Sequence, residues 1–410
     1  PDLAGTGLSL TGKTLTGADL SATTSFAGVT ATDVVADGTE PLPTGARWVL
    51  QSSGKRAILA PGVSFATVMS DITGPLAGAD TSLVVFGGST PPGLPADYVW
   101  RPHGAGYAIV GPGVDLGSAD LGRSDLTGLR LRQLRGSAAT LPAGYQFVAA
   151  ADGTFCVLGD GVDLSGADLS ATSIANVTGA LVLAGADLSG AAVSACDLSG
   201  SDVRGADLQA ASGTAGLRAH GVTLGGSEPA PVGTAWVQQP SGGYALVGDG
   251  VSLDGAQMQG SDLTSVSLLG ASVAGARLVA VLNAPTAPPS AAYVWAADSA
   301  GGATLVGPGL DMTSAQISGL DLRGLDLASS TWSGATAVSL TALGSELAGP
   351  QYALASLGDG SFAVAGPGVD LSGQDLTGLV LDGLDVSGAD FGGATLDGAS
   401  LVGTELGAAD

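Results

Sequence analysis

An apolar residue returns at every fifth position across residues 183–208: Leu183, Leu188, Val193, Leu198, Val203 and Leu208. Two positions ahead of each stands a mostly small residue: Leu181, Ala186, Ala191, Cys196, Ser201 and Ala206. Asp187, Asp197, Asp202 and Asp207 fall between the two, and Ser and Gly are favoured after the apolar residue. A period of five matches neither the 3.6 of a helix nor the 2 of a flat strand. It suits a chain that turns a corner once per repeat, with a very short extended face and a corner of Gly, Ser or Asp. Four such faces close one rectangular coil. Alternation along each face sends the Leu and the residue two before it inward and leaves the Asp outside.

The same beat runs through Leu116–Leu131, Leu164–Ile174, Leu253–Leu278, Met312–Trp332 and, longest, Leu371–Leu406. These blocks contain "ADLSG" at 186–190 and then, in the same phase after "AAVSA", "CDLSG", "SDVRG" and "ADLQA". They resemble the pentapeptide-repeat family, whose repeat reads Ala-(Asp/Asn)-Leu-x-x, over separated stretches of the chain. The resemblance implies an all-β fold, a right-handed quadrilateral β-helix (a β-solenoid) with four pentapeptides per coil.

A second, longer period interrupts the pentads. Its landmark is Gly-x-Gly-Val-Asp-Leu or a close variant, with the second glycine at Gly62, Gly113, Gly161, Gly250, Gly309 and Gly368. Before it come two short apolar runs separated by a glycine-bearing turn, as in "YVW", "HGAG" and "YAIVG", which is a β-hairpin signature. About six hairpins are therefore expected in one continuous modular solenoid over 1–410. Pentad coils fill 1–40. Modules then follow at 41–91, 92–139, 140–228, 229–285, 286–347 and 348–410, the last with the longer pentad block. Thirteen of the 18 aromatic residues fall in the hairpins. A coil interior is too narrow for large rings, so they are expected where a second packing surface exists.

The balance of charge is acidic, with 37 Asp and Glu against 13 Lys and Arg and a net charge of −24. That speaks against direct nucleic-acid binding, which needs basic patches. Hydrophobic content of 45% excludes a disordered chain, while aromatics at 4% argue against a conventional core. No run of eighteen apolar residues marks a membrane span. The chain opens on Pro1 rather than Met, which reads as a processed product or a piece of something longer.

Chemistry is sought in vain. Calcium-binding rolls repeat every nine residues, and one outward Asp per step does not converge six oxygens on an ion. Gly111-Pro112-Gly113 lacks the third glycine and the helix of a dinucleotide loop, and "SSGKR" at 52–56 reads as a hairpin turn. Cys156 and Cys196 match no metal spacing and read as small buried side chains, and His103 and His220 as surface residues. The sequon at Asn176 carries no weight without a secretory context. The expectation is a protein that is not an enzyme, with no cofactor and no metal.

Three functions compete. The first is a structural protein, a subunit or segment of an extracellular filament, fibre shaft or surface spacer, self-associating end to end or side by side. The second follows from the family resemblance: a DNA-mimicking protein that binds DNA gyrase in the cytoplasm. The third is a surface adhesin that recognises a glycan or a protein through the hairpin aromatics Trp48, Tyr98, Trp100, Tyr145, Trp236, Tyr293, Trp295 and Tyr352.

Overall fold

The computed structural model describes residues 3, 6–44, 46–65, 71–73, 76, 85–86, 92–103, 106–136, 139–150, 152–174, 177–299, 301–347 and 349–410. For Phe65, Val85, Phe86 and His103 it describes the backbone alone, and Pro1 and Asn176 lie outside the described residues. Among the described residues the chain is all-β, without a helix, and its fold is a β-solenoid. It divides into two compact units. One holds residues 1–193, 201–212 and 225–228; the other holds 194–200, 213–224 and 229–410.

The pentad explains itself atom by atom. The Leu188 carbonyl accepts the Ala191 N–H at 3.0 Å, closing a four-residue turn over Ser189 and Gly190. Gly190 takes φ of +70°, the value a type II turn demands at its third residue and one that glycine adopts without strain. The Asp ahead of the Leu is not merely a solvated charge. Its Oδ1 accepts the backbone N–H two residues on, as Ser189 N donates to Asp187 at 2.8 Å and Ser170 N to Asp168 at 3.0 Å. The Asp side chain is long enough to reach its own corner this way, as Asn is, and Ser does so more weakly.

Successive coils stack by backbone hydrogen bonds. In the first unit Leu183 N donates to the Asp202 carbonyl at 2.7 Å, and Asp202 N to Leu181 at 2.9 Å. In the second, Leu253 N donates to Ser272 at 2.8 Å, and Ser272 N to Val251 at 3.0 Å. The parallel pairs Val182 with Asp202, Ser252 with Ser272 and Asp385 with Glu405 are each twenty residues apart, which is four pentads. Inward positions are shut off from water: Leu188, Val193 and Leu198 are at most 1% exposed, and so are Ala186, Ala191 and Cys196.

Six of the two-stranded sheets are antiparallel. Arg47–Leu50 pairs with Arg56–Leu59, Val99–His103 with Gly106–Val110, and Gln146–Ala149 with Phe155–Leu158 in the first unit. Thr234–Gln238 pairs with Tyr244–Gly248, Val294–Ala297 with Ala303–Val306, and Ala353–Ser356 with Phe362–Ala365 in the second. The remaining two sheets, Ser64–Phe65 with Val85–Phe86 and Gln316–Ser318 with Thr336–Val338, are parallel.

Two features differ from the sequence reading. The second strand of a hairpin is not an addition to the coil but one of its rungs. Tyr244 exchanges both backbone hydrogen bonds with Val222, and Leu246 N donates to Ala219 at 2.8 Å. Phe155 does the same with Leu134. Hence the parallel ladder resumes after 33 or 34 residues at Arg130–Asp163 and Arg218–Ser252, instead of twenty. Both strands of a hairpin are short and apolar, so the sequence did not distinguish the rung from the overlay. The second difference is Trp332. It occupies an inward pentad position and is 0% exposed, although a coil was read as too narrow for large rings. The Met312 N–H bonds the Thr331 carbonyl, which sets an unbranched, adaptable side chain one rung away from the indole.

Candidate functional site

Four hairpins carry a tryptophan on the first strand, while Tyr107, Phe155, Tyr244 and Phe362 stand on second strands. Trp48, Trp100, Trp236 and Trp295 stand directly across from Ile58, Ile109, Leu246 and Leu305. Those four partners are at most 1% exposed, so one face of each indole covers the coil. Trp48 Nε1 donates to the Glu40 carbonyl at 2.9 Å and Trp100 Nε1 to Pro92 at 2.8 Å. Trp100 also meets Tyr107 edge-on at 6.5 Å. The indole nitrogens of Trp236, Trp295 and Trp332 are buried without a hydrogen-bond partner among the described residues.

The tyrosines two residues earlier have a different partner. Tyr98, Tyr145, Tyr293 and Tyr352 lie beside Gly111, Gly159, Gly307 and Gly366, the first glycine of each Gly-x-Gly landmark. A Cβ on any of these glycines would collide with the ring. The Tyr98 hydroxyl donates to Pro112 O at 2.9 Å and the Tyr145 hydroxyl to Asp160 O at 2.8 Å. Burial, then the nearby carboxylate of Asp97 or Asp254, pushes the Tyr98 and Tyr293 phenols above their ordinary value. Of the two modules that lack the tyrosine, one loses the landmark glycine and the other keeps it. The first module has Ala46 and Ala60 in these places, and the fourth sets Thr234 opposite Gly248. The second glycine has a separate cause, a φ of +67° to +72° in all six copies. Gly111-Pro112-Gly113 is therefore the joint between hairpin and coil.

Of the eight aromatic residues read as an interaction surface, seven are half-buried and Tyr352 is buried. They are spread over six hairpins in two units. Two clefts touch them. Trp48 lines a space of about 420 Å³ with Glu40, Thr44, Arg47 and Arg135. Trp236 lines one of about 580 Å³ with Gln238, Gln259, Asp262 and Thr264.

Carboxylates form the other candidate. Asp168, Asp187 and Asp207 pair rung to rung in the first unit, as do Asp370 with Asp390 and Asp385 with Glu405 in the second. Hydroxyl and then backbone donors from Ser170, Thr377 and Ser387 hold Asp168, Asp375 and Asp385 below the usual carboxylate range. Among the described residues, no three His, Cys, Asp or Glu side chains are grouped to hold a metal ion. His220 accepts a hydrogen bond from Arg218 Nε at 2.9 Å, and burial followed by the Arg218 charge lowers its pKa. Cys156 and Cys196 are buried and not joined in a disulfide, and burial raises the Cys156 pKa. No helix among the described residues is long and apolar enough to cross a membrane.

One functional group was missed in the sequence: the glutamates after Gly-Thr and Gly-Ser at Glu40, Glu228 and Glu346. Glu228 accepts the N–H groups of Gly205, Gly225 and Gly226 at 2.7–2.9 Å. Burial opposes its charge, but these donors outweigh it and bring the pKa to about 2. Glu40 takes the N–H groups of Asp37 and Gly38, and Glu346 that of Leu343. Gly-(Ser/Thr)-Glu was the available signal, although it also occurs at 403–405, where the Glu405 carboxylate holds no backbone group among the described residues.

The family model for pentapeptide repeats matches eight copies, at residues 182–212 and 375–410. These blocks are pentapeptide repeats. Among solved structures, a match is HetL, a pentapeptide repeat protein involved in heterocyst differentiation regulation from the cyanobacterium Nostoc sp. strain PCC 7120. It shares 18% identity over 72% of this chain and 85% of that chain, with a TM-score of 0.16. No curated protein matches the chain.

Proposed function

We propose that this chain of pentapeptide repeats is a non-catalytic structural protein, a subunit or segment of a filament, fibre shaft or surface spacer outside the cell. The observation that carries the reading is modularity. The parallel ladder of the four-pentad coils resumes after a hairpin, at Arg130–Asp163 and Arg218–Ser252, so a hairpin is inserted without ending the ladder. We read the coil as right-handed and four-cornered, with six hairpins whose first strands overlay it, each aromatic residue serving its own module. Such arrays derive stability from contacts between neighbours. Electron microscopy and sedimentation of purified protein test the reading: rods or polymers that grow with concentration are expected. Compact monomers at every concentration and salt would overturn it.

The stacked carboxylates at Asp168, Asp187 and Asp207 favour a second reading, a mimic of the DNA backbone that binds gyrase. A supercoiling assay with added protein decides it, and unchanged gyrase activity removes it. A membrane span, a cofactor and a nucleic-acid partner have no place in either reading.

A further inference from the structure

The charge of this chain is not spread evenly. Residues 1–135 hold nine of the 13 basic residues and eleven of the 37 acids, a net of −2. Residues 136–410 hold the other four and 26, a net of −22, and from 324 to 410 there are eleven acids and no basic residue. Most arginines in the structure are engaged. Arg130 bridges Asp97 and Asp163, Arg204 and Arg323 pair with Asp202 and Asp321, and Arg218 faces Asp197. Arg47 and Arg135 differ. Both are exposed, and neither guanidinium has an ion-pair or hydrogen-bond partner among the described residues. Both line the one cleft, beside the half-buried ring of Trp48. Two carboxylates are near and both are engaged: Glu40, which lines the cleft at 5% exposure, accepts two backbone N–H groups, and Asp115, on the rung beside Arg135, accepts the Gly117 N–H at 2.9 Å. Neither is free to neutralise them.

We infer that the cleft of Arg47, Arg135 and Trp48 in the first unit is a docking surface for a second copy of this chain, which presents the acidic coils of residues 324–410. The inference rests on the self-association reading above and gives it a surface. Two arginines beside an indole are the side chains that anchor protein interfaces, and guanidinium groups meet carboxylates in paired hydrogen bonds. The acidic coils supply what the cleft lacks. Asp385 and Glu405 stack on successive rungs with like charges side by side, a repulsion that arriving cations relieve. Because the two surfaces are different, the contact is heterologous. Such a contact propagates into an open filament unless the rotation closes a ring.

The test is sedimentation velocity at about 0.15 M salt, where charges beyond about 8 Å are screened, with circular dichroism to verify folding. The native chain is expected to associate with rising concentration, and less so at about 1 M salt. Arg47→Glu/Arg135→Glu should weaken association at least tenfold. Asp397→Arg/Glu405→Arg should do the same, since neither carboxylate holds a backbone group among the described residues. Mixing the two charge-reversed proteins should restore mixed complexes. The milder Arg47→Gln/Arg135→Gln serves if the reversal fails to fold. Native association that survives both reversals overturns this surface and leaves the self-association reading standing. A native chain that never associates overturns both. If a sulfated polysaccharide binds at Arg47 and Arg135 while copies do not associate, the cleft serves an anionic polymer and the proposal fails.

Discussion

Two glycines in this chain do opposite jobs, and substitution separates them. Gly388 sits at a pentad corner with φ of +71° and nothing within 4 Å of where a Cβ would be. Gly388→Ala therefore meets backbone strain alone, an expected loss of about 1–2 kcal/mol. Gly159 has ordinary φ, but its Cβ would lie in the ring of Tyr145. Gly159→Ala should cost more than Gly388→Ala, and in a Tyr145→Ala background most of that extra cost should vanish. Chemical denaturation of the two single variants and the double variant measures this coupling, and an additive result refutes the contact. Ala46 and Ala60 already show the tolerated combination within the same chain.

The element is the corner and the rung behind it. Asp187 Oδ1 accepts the Ser189 N–H, so Asp187→Asn should retain the fold's stability while Asp187→Ala loses about 0.5–1.5 kcal/mol. Equal losses for the two would mean that charge, not the hydrogen bond, selects Asp. Deleting the buried side chain beside it, Leu188→Ala, is expected to cost about 2–5 kcal/mol. The loop held by Glu228 responds to acid. Its carboxyl is held at about 2 in the fold against an ordinary 4.5, so its contribution is complete above about 4.5 and is lost as pH falls towards 2. Melting temperatures followed across that window should fall more steeply for the native chain than for Glu228→Gln. Parallel curves would show that the donors around Glu228 do not matter to stability.

At the scale of the whole molecule the twenty-residue register makes a prediction about deletion. Asp370 and Asp390 are equivalent positions on successive rungs. Removing 371–390 should leave a folded, less stable protein, because each coil needs only its neighbours. Removing 371–383 breaks the phase of every later inward residue and should unfold the second unit from that point. Circular dichroism and limited proteolysis distinguish the outcomes, and equal damage from both deletions would contradict the register.

Much of this was legible in the residues themselves. A five-residue beat admits few backbones, and Leu188, Leu198 and Leu208 had to share one side once the chain turned at each Gly or Ser. The hairpins showed through paired apolar runs. What stayed hidden depended on atoms far apart in sequence. Tyr145 and Gly159 become a pair only when the strands align, and Phe155 becomes a rung only by meeting Leu134. Glu228 matters because folding brings the Gly205 N–H to it from 23 residues away. Periodicity is a local property of the chain and survives in the sequence. Which side chain covers which glycine, and which carboxylate finds which donor, is settled by the pairing of strands and the stacking of coils, where neighbours in space are far apart in sequence.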